Sequence, residues 1–282
     1  MVSRAGADTD FKVGDRVAMV TPTALATYTR NKGIAVARVP EGVSLLQAST
    51  VPSQLGAAWD ALACLAQLKK SETVLIHSGA GGTGQCAIQI AQYLGGEIFT
   101  TVGSEEKKIF LMENYNIPAD HIFYSRDLSF ADGIRRMTNE RGVDVILNSL
   151  AGENLLASWD LIAPYGRFIE IGKKDIDANS DLPMRPFMRG ATFVSLDVSR
   201  KIYDMPREVM GHTKKLLEMV KDGILQPAHP VHILSVSDIQ KGMRMLQDGK
   251  LIGKVVFDLD QPHALVPVSI ALNLSVHLLT CS

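Results

Sequence analysis

From about residue 58 onward, short apolar runs alternate with stretches whose apolar residues recur every three or four positions. TVLIH (73–77) precedes a helical pattern from Gln85, and EIFTTV (97–102) precedes one from Glu105. HIFY (121–124) leads to DLSFADGIRRMT, VDVILNSL (143–150) leads to ENLLASWDLI, and RFIEIG (167–172) and ATFVSL (191–196) follow. Short apolar runs near β-branched residues, each followed by a helical period, predict parallel βαβ units with helices on both faces of a sheet. Six such runs predict one doubly wound sheet. Along the first helix, Cys86, Ile90 and Leu94 fall at i, i+4 and i+8 with Ala87 and Ala91 beside them, while Gln85, Gln89 and Gln92 lie largely off that stripe.

The first fifty residues have another rhythm. FKVGDRVAMV, LATYTR and GIAVARVPEGV are short, alternating and glycine-punctuated, which predicts antiparallel strands of a β-rich unit. A helix at about 54–68 then leads into the sheet, residues 205–222 form the last long helix, and the segment after Pro227 returns to strand, helix and strand. The expected division is 1–53 for the β-rich piece, 54–226 for an inserted α/β domain, 227–260 for a return to the first piece, and 261–282 for a linker-like tail.

With 282 residues and 46% hydrophobic content the chain can bury a real core. Its 29 basic and 30 acidic residues leave a net charge of −1, so no field draws it to nucleic acid or an anionic membrane, and a small-molecule partner is expected. Cys64, Cys86 and Cys281 are too few and scattered for a disulfide framework or a structural zinc cluster, which fits a reducing, cytoplasmic setting. The N-terminus lacks the apolar core of a secretory leader. Residues 264–279 are apolar, but Pro267, Asn273, Ser275 and His277 interrupt them, so no membrane span is expected.

Between the first apolar run and its helix stands Gly79-Ala80-Gly81-Gly82-Thr83-Gly84, a G-x-G-x-x-G pattern in the strand-then-helix context that gives it meaning. Gly79 serves a tight turn, Gly81 lets backbone approach a pyrophosphate, and Gly84 lets the helix approach the sheet. The helix N-terminus then offers free N–H groups and its positive dipole end to the diphosphate. The alternative is a glycine-rich turn that binds nothing. An NAD site usually carries an acid at the end of the second strand. Here that position reads TTVGSEEKK, with Ser104 at the tip and Lys107 and Lys108 one turn on, and Arg126 follows the third strand. A hydroxyl and cations suit a 2′-phosphate, which favours NADPH. Glu105 and Glu106 point the other way, and a solvated helix face with Glu–Lys pairing is the alternative for the two lysines. Of the seven histidines, His77 ends the first strand and is expected to be packed there rather than to donate protons.

Taken in order, HSGAGGTGQCAIQIAQ, TTVGSEEKK, SRDLSF, GVDVILNSLAGE, GRFIEIGKKDI and GKLIGKVVF resemble the enoyl reductase domain of fungal highly reducing polyketide synthases and of animal fatty acid synthase, in the zinc-independent branch of the medium-chain dehydrogenase/reductase superfamily. The resemblance covers about residues 5–260. It implies a Rossmann-type sheet inserted into a partial GroES-like β-rich catalytic domain, and NADPH-dependent reduction of an α,β-unsaturated thioester carried on an acyl carrier protein. Other synthase domains are implied partners, and a homodimer is left open. The resemblance places cofactor contacts on Gly79, Gly81, Gly82, Thr83, Gly84, Ser104, Lys107, Arg126 and Asn148, and catalytic roles on Lys173 and Asp197. Both catalytic candidates follow late strands at the carboxyl edge, where ligands of open α/β sheets bind, and an ammonium there can steady an enolate or deliver a proton. Catalytic zinc needs three protein ligands, and no cysteine or histidine stands beside the early strands, so no metal is expected. Relative to the family pattern the chain enters inside the β-rich domain, and the expectation is a piece of a larger synthase. Two other functions stay open: a stand-alone quinone or alkenal reductase, and a non-catalytic NADPH-binding module.

Overall fold

Two short strands, β1 (Val17–Ala18) and β2 (Ala37–Arg38), pair antiparallel near the N-terminus. Helix α1 (Leu45–Ala48) opens on a capping box: the Ser44 hydroxyl accepts from the Gln47 amide, and the Gln47 side chain accepts from Ser44 N. A continuous helical stretch runs from Val51 to Leu65, with regular turns at α2 (Gly56–Trp59) between wider π-type turns at Val51–Leu55 and Asp60–Leu65. The chain then alternates: β3 (Thr73–Ile76), α3 (Gly82–Leu94), β4 (Glu97–Val102), α4 (Glu105–Tyr115), β5 (Ile122–Tyr124), α5 (Ser129–Met137), β6 (Val143–Asn148), α6 (Glu153–Asp160), β7 (Ile162–Glu170), α7 (Lys174–Asp177) and β8 (Thr192–Ser195). It ends with α8 (Val198–Asp204), α9 (Pro206–Lys221), β9 (Val231–Ser235), α10 (Ile239–Gln247) and β10 (Lys254–Asp258). This computed structural model describes residues 1–21 and 25–259, so the expectations for residues 261–282 lie outside the described residues.

β3 to β8 form one six-stranded sheet in the order β5-β4-β3-β6-β7-β8, every neighbour parallel. Side chains alternate across it. Val74, Ile76, Val145, Leu147 and Ile169 face a core shared with Ala87, Ile90 and Ala91 of α3 and Leu216 and Leu217 of α9. Leu75, Phe99, Ile146 and Phe168 face a second core with Phe130 and Ile134 of α5 and Trp159 of α6. Apolar residues on both faces explain why these strands read as continuous runs rather than as half-polar ones. α3 stops at Gly95, whose left-handed backbone (φ 79°, ψ 26°) closes the helix through its N–H to Ala91 O and Gln92 O. Because the chain leaves β3 towards β4 on one side and crosses to β6 on the other, the carboxyl ends of β3 and β6 flank the switch point of the sheet.

Two expectations change. LATYTR (25–30) is not a strand: these residues are exposed and have no strand partner among the described residues. FKVGDRVAMV and GIAVARVPEGV supply only the two-residue strands β1 and β2, and Gly33–Ala35 is a 3₁₀ turn. Gln85 and Gln89, which lie largely off the apolar stripe of α3, are nevertheless tied into the fold. Gln85 is fully buried: its Nε2 donates to Ala80 O and His229 O at 2.8 Å each, and its Oε1 accepts from Tyr115 Oη at 2.7 Å and His229 N at 2.8 Å. Gln89 exchanges two bonds with the Gln226 backbone, at 3.0 and 2.8 Å. These amides fasten the chain before β9 to α3. β9 and β10 then pair with each other in parallel, and Gly253 makes a bridge to Gly81 of the glycine junction. No helix among the described residues is long and apolar enough to cross a membrane.

Candidate functional site

At the end of β3, His77 is buried between Thr101 Oγ1 (2.9 Å) and Ser158 Oγ (2.8 Å), and burial pushes its imidazole down to about 3. It is a neutral tie between β4 and α6. Ser78 then turns the chain into the glycines. Gly79 donates its N–H to Thr101 O at 3.0 Å. A Cβ on Gly79 would lie 2.1 Å from Thr100 Oγ1, and one on Gly84 would lie 2.3 Å from Ser78 O and 2.7 Å from Gly79 Cα. Packing within the protein therefore demands both, since the helix start lies directly on the turn. Gly82 is covered by the Gln54 amide, whose Nε2 a Cβ would meet at 1.9 Å.

Gly81 is different. Its backbone (φ −75°, ψ 168°) is open to any residue, and a Cβ there would meet Ser78 O alone, at 3.3 Å. Neither strain nor heavy crowding asks for glycine at this point. It bares main chain at the N-terminus of the 13-residue α3, where unpaired N–H groups and the helix dipole favour an anion. Half-buried Thr83 lies in the same first turn. Oε1 of Gln54, beside Gly82, is buried with no hydrogen-bond partner among the described residues, an acceptor that a hydroxyl- or amide-bearing ligand can satisfy. A bare cradle, a helix N-terminus and an orphaned acceptor fit a dinucleotide.

The tip of β4 carries the next group. Ser104 caps α4, its Oγ accepting from Lys107 N at 3.4 Å. Burial lowers the Lys107 ammonium below its ordinary range; nearby Glu106 opposes this and Arg126 adds to it. Two cations near enough to repel each other make this corner attractive to a phosphate. Glu105 does not compete, because its carboxylate accepts from the Tyr124 hydroxyl, and Lys108 lies over the Tyr124 ring at 6.0 Å. Lys107 Nζ donates to Gly249 O at 2.8 Å, and Gly253 N donates to Ala80 O at 3.1 Å. The segment from Gly249 to Gly253 thus runs along the rim from the cations to the glycine turn, a part of the site that the sequence reading did not assign.

On the other side of the switch point, Lys173 Nζ lies 2.8 Å from Asp197 Oδ2, with side chains 29% and 39% exposed. Asp197 also caps α8, accepting from Arg200 N at 3.1 Å. Burial works against its charge, but the Lys173 ammonium and the backbone N–H groups of Arg200 and Ser199 outweigh it and hold the carboxyl below its usual range. The two candidates, 24 residues apart in sequence, are brought together by the parallel pairing of β7 with β8.

A profile described as zinc-binding dehydrogenase matches residues 117–257. The chain is 46% identical over 272 residues to the highly reducing polyketide synthase dmxL2 of Cryptosporiopsis sp. (strain 8999), covering 96% of this chain and 11% of that protein. The solved CurK enoyl reductase superposes with a TM-score of 0.78 at 32% identity, covering 89% of this chain and 74% of that one. The CurF ER cyclopropanase from the curacin A biosynthetic pathway gives 0.78 at 30% identity, over 91% and 76%. The chain belongs to the polyketide synthase enoyl reductase family. It spans about a tenth of the length of the curated synthases it matches.

Within this family fold, one assigned contact is turned inward and one unassigned acid stands out. Asn148 is fully buried: its Nδ2 donates to Leu150 O at 2.8 Å and Glu170 Oε2 at 2.5 Å, and its Oδ1 accepts from Leu150 N at 3.3 Å. Its side chain supports the end of β6 and, as placed, has no donor left for a cofactor. Glu170, 1% exposed, also accepts from Gly172 N at 2.5 Å, so it fixes the turn that presents Lys173. Burial raises its carboxyl to about 7, with Asp175 adding to the shift and the Asn148 and Gly172 bonds opposing it. An acid inside the apolar run RFIEIG was the available signal. Among the described residues, the one group of three metal-ligating side chains is Asp60, Cys64 and His212, and it includes no residue of the glycine turn or the Lys173–Asp197 pair.

Proposed function

We propose that this chain reduces the α,β-double bond of an enoyl thioester during polyketide assembly, with NADPH as reductant and the acyl group carried on an acyl carrier protein of the parent synthase. The observation that carries the reading is the Lys173–Asp197 pair, 2.8 Å apart on the sheet edge that also holds the glycine cradle. Family membership supports the reaction class, and the cations at Lys107 and Arg126 support NADPH over NADH. In this reading residues 54–226 form the nucleotide-binding unit, and residues 1–53 and 227–260 belong to the catalytic unit.

When bound, the nicotinamide supplies hydride to the β-carbon of the substrate. The N-terminus of α3 and the bare backbone at Gly81 hold the diphosphate, Ser104, Lys107 and Arg126 hold the 2′-phosphate, and Gln54 Oε1 accepts a ligand hydroxyl or amide. Lys173 Nζ carries a proton next to the place where negative charge develops on the thioester oxygen, so it steadies the enolate and returns a proton to the α-carbon. Asp197 positions that ammonium.

The test is a comparison of crotonyl thioester and a quinone as acceptors with NADPH. Consumption of the thioester with formation of the butyryl product supports the reading. Quinone reduction alone makes the chain a stand-alone quinone reductase, and NADPH binding with no turnover makes it a binding module.

A further inference from the structure

Asp60 and Cys64 stand four positions apart on the helical stretch Val51–Leu65, and Glu208 and His212 stand four apart on α9. Residues at this spacing share a helix face. Here the two faces meet. Asp60, 2% exposed, lies with Oδ1 2.7 Å from His212 Nδ1 and Oδ2 2.9 Å from Lys201 Nζ. Lys201, on α8, is also 2.8 Å from Glu208 Oε1. The far nitrogen of the imidazole, His212 Nε2, lies 3.9 Å from Cys64 Sγ. Ligand atoms from Asp60, Cys64 and His212 all fall within 4.8 Å of one another.

We propose that this junction is a binding site for a zinc-class divalent cation, with Cys64 Sγ and His212 Nε2 as ligands and the Asp60 carboxylate holding the opposite ring nitrogen. Tetrahedral bonds of about 2.3 Å to sulfur and about 2.0–2.1 Å to nitrogen span about 3.6 Å between the two ligand atoms. The present separation of 3.9 Å needs a shift of only a few tenths of an ångström. A thiolate and an imidazole select zinc-class ions over calcium or magnesium, and a carboxylate behind a ligating histidine is the usual arrangement around such ions. On coordination the thiol proton leaves to solvent, and Cys64, Asp60 and Glu208 then outweigh the single charge of Lys201. Lys201 is the resident cation. It opposes a metal, yet it retains Glu208 as a partner if it turns from Asp60. His212 is 25% exposed and Lys201 14%, so the site opens to solvent on one side. Bound metal would clamp the Val51–Leu65 helix to α9. Cys64 and His212 are 148 residues apart, so no motif spacing reveals the pair, and the sequence-based expectation of no metal did not include it.

The test is a Co²⁺ titration of the full chain after chelation, read by absorption. The expected result is tetrahedral d–d bands with a thiolate-to-cobalt charge-transfer band, saturating near one equivalent and displaced by Zn²⁺. Cys64→Ser should lose the charge-transfer band and bind at least about tenfold more weakly, while Cys281→Ser should change neither. Lys201→Met should bind about tenfold more tightly or better, because a like charge is gone. Metal-free melting curves check the fold of each variant, and the Lys201→Met arm stands even if Cys64→Ser does not fold. A charge-transfer band that survives Cys64→Ser, or a wild-type spectrum lacking both band types, overturns the site. Rapid alkylation of Cys64 without any cobalt band also overturns it, in favour of a histidine-activated thiol.

Discussion

Lys173 Nζ and Asp197 Oδ2 lie 2.8 Å apart across the loops that follow β7 and β8, and Asp197 does a second job as the cap of α8. The two jobs can be separated, because asparagine caps a helix about as well as aspartate. Asp197→Asn should leave the melting temperature within a few degrees of wild type while lowering kcat about 10- to 100-fold, and Lys173→Met should lower it about 10²-fold or more, the scale of a lost general acid. Nucleotide affinity should change little in either. Steady-state kinetics with parallel nucleotide titrations check this, and an equal loss of binding and turnover would move Lys173 from the chemistry to the cofactor.

Gly81 and Gly84 should respond differently. Gly84→Ala places a methyl 2.3 Å from Ser78 O and should destabilise the fold by about 1–3 kcal/mol, the cost of overpacking. Gly81→Val meets one backbone oxygen at 3.3 Å, so it should cost the fold about 1 kcal/mol or less yet weaken nucleotide binding at least 100-fold, roughly 3 kcal/mol. Thermal melts beside fluorescence titrations distinguish the two. Full binding by Gly81→Val would remove the diphosphate from this turn.

The cations at the β4 tip make a selectivity prediction. Lys107→Ala and Arg126→Ala together should weaken NADPH about 10- to 100-fold and NADH by less than about threefold, since charge-assisted bonds to the 2′-phosphate are lost only for the former. Titration of both nucleotides checks it. Equal loss would assign these residues to the rim segment at Gly249 instead.

Glu170 supplies a pH signature. Its carboxyl is raised from 4.5 to about 7, mainly by burial, so between these values the folded chain holds a proton that the unfolded chain has released. Its contribution to stability is therefore greatest below about 4.5 and declines as pH rises through about 7, with a slope of at most about 1.4 kcal/mol per pH unit. Asn148, Gly172 N–H and Asp175 are the groups facing it. Glu170→Gln has nothing to titrate there, so the difference in unfolding free energy between wild type and variant should shift in the variant's favour across this window. Parallel denaturation curves from pH 5 to 8 would mean that Glu170 stays ionised.

Much of the sheet was legible because its strands are apolar on both faces, so six continuous runs stood out from the helical period between them. The glycine turn was legible from its strand-then-helix context, whereas Lys173 and Asp197 were picked out by the resemblance, and the parallel pairing of β7 with β8 is what brings them together. The start of β7 was not legible, because Pro164, Tyr165 (φ 61°) and Gly166 interrupt the run before Arg167. LATYTR alternates like a strand but belongs to no sheet among the described residues, because alternation does not supply a partner strand. The burial of Gln85 was not legible, because its partners, Ala80 O, Tyr115 Oη and the His229 backbone, are brought to it only by folding. The inward turn of Asn148 likewise depends on Glu170 in another strand.

The central claim is hydride transfer to an enoyl thioester, and isotope transfer tests it most directly. The purified chain is incubated with crotonyl thioester and NADPH deuterated at the transferred position of the nicotinamide, and the product is read by mass spectrometry and NMR. The account predicts butyryl thioester with a single deuterium on the β-carbon, and loss of that product when Lys173 is replaced by Met. Unlabelled product, or label delivered to a quinone while the thioester is left untouched, would contradict it.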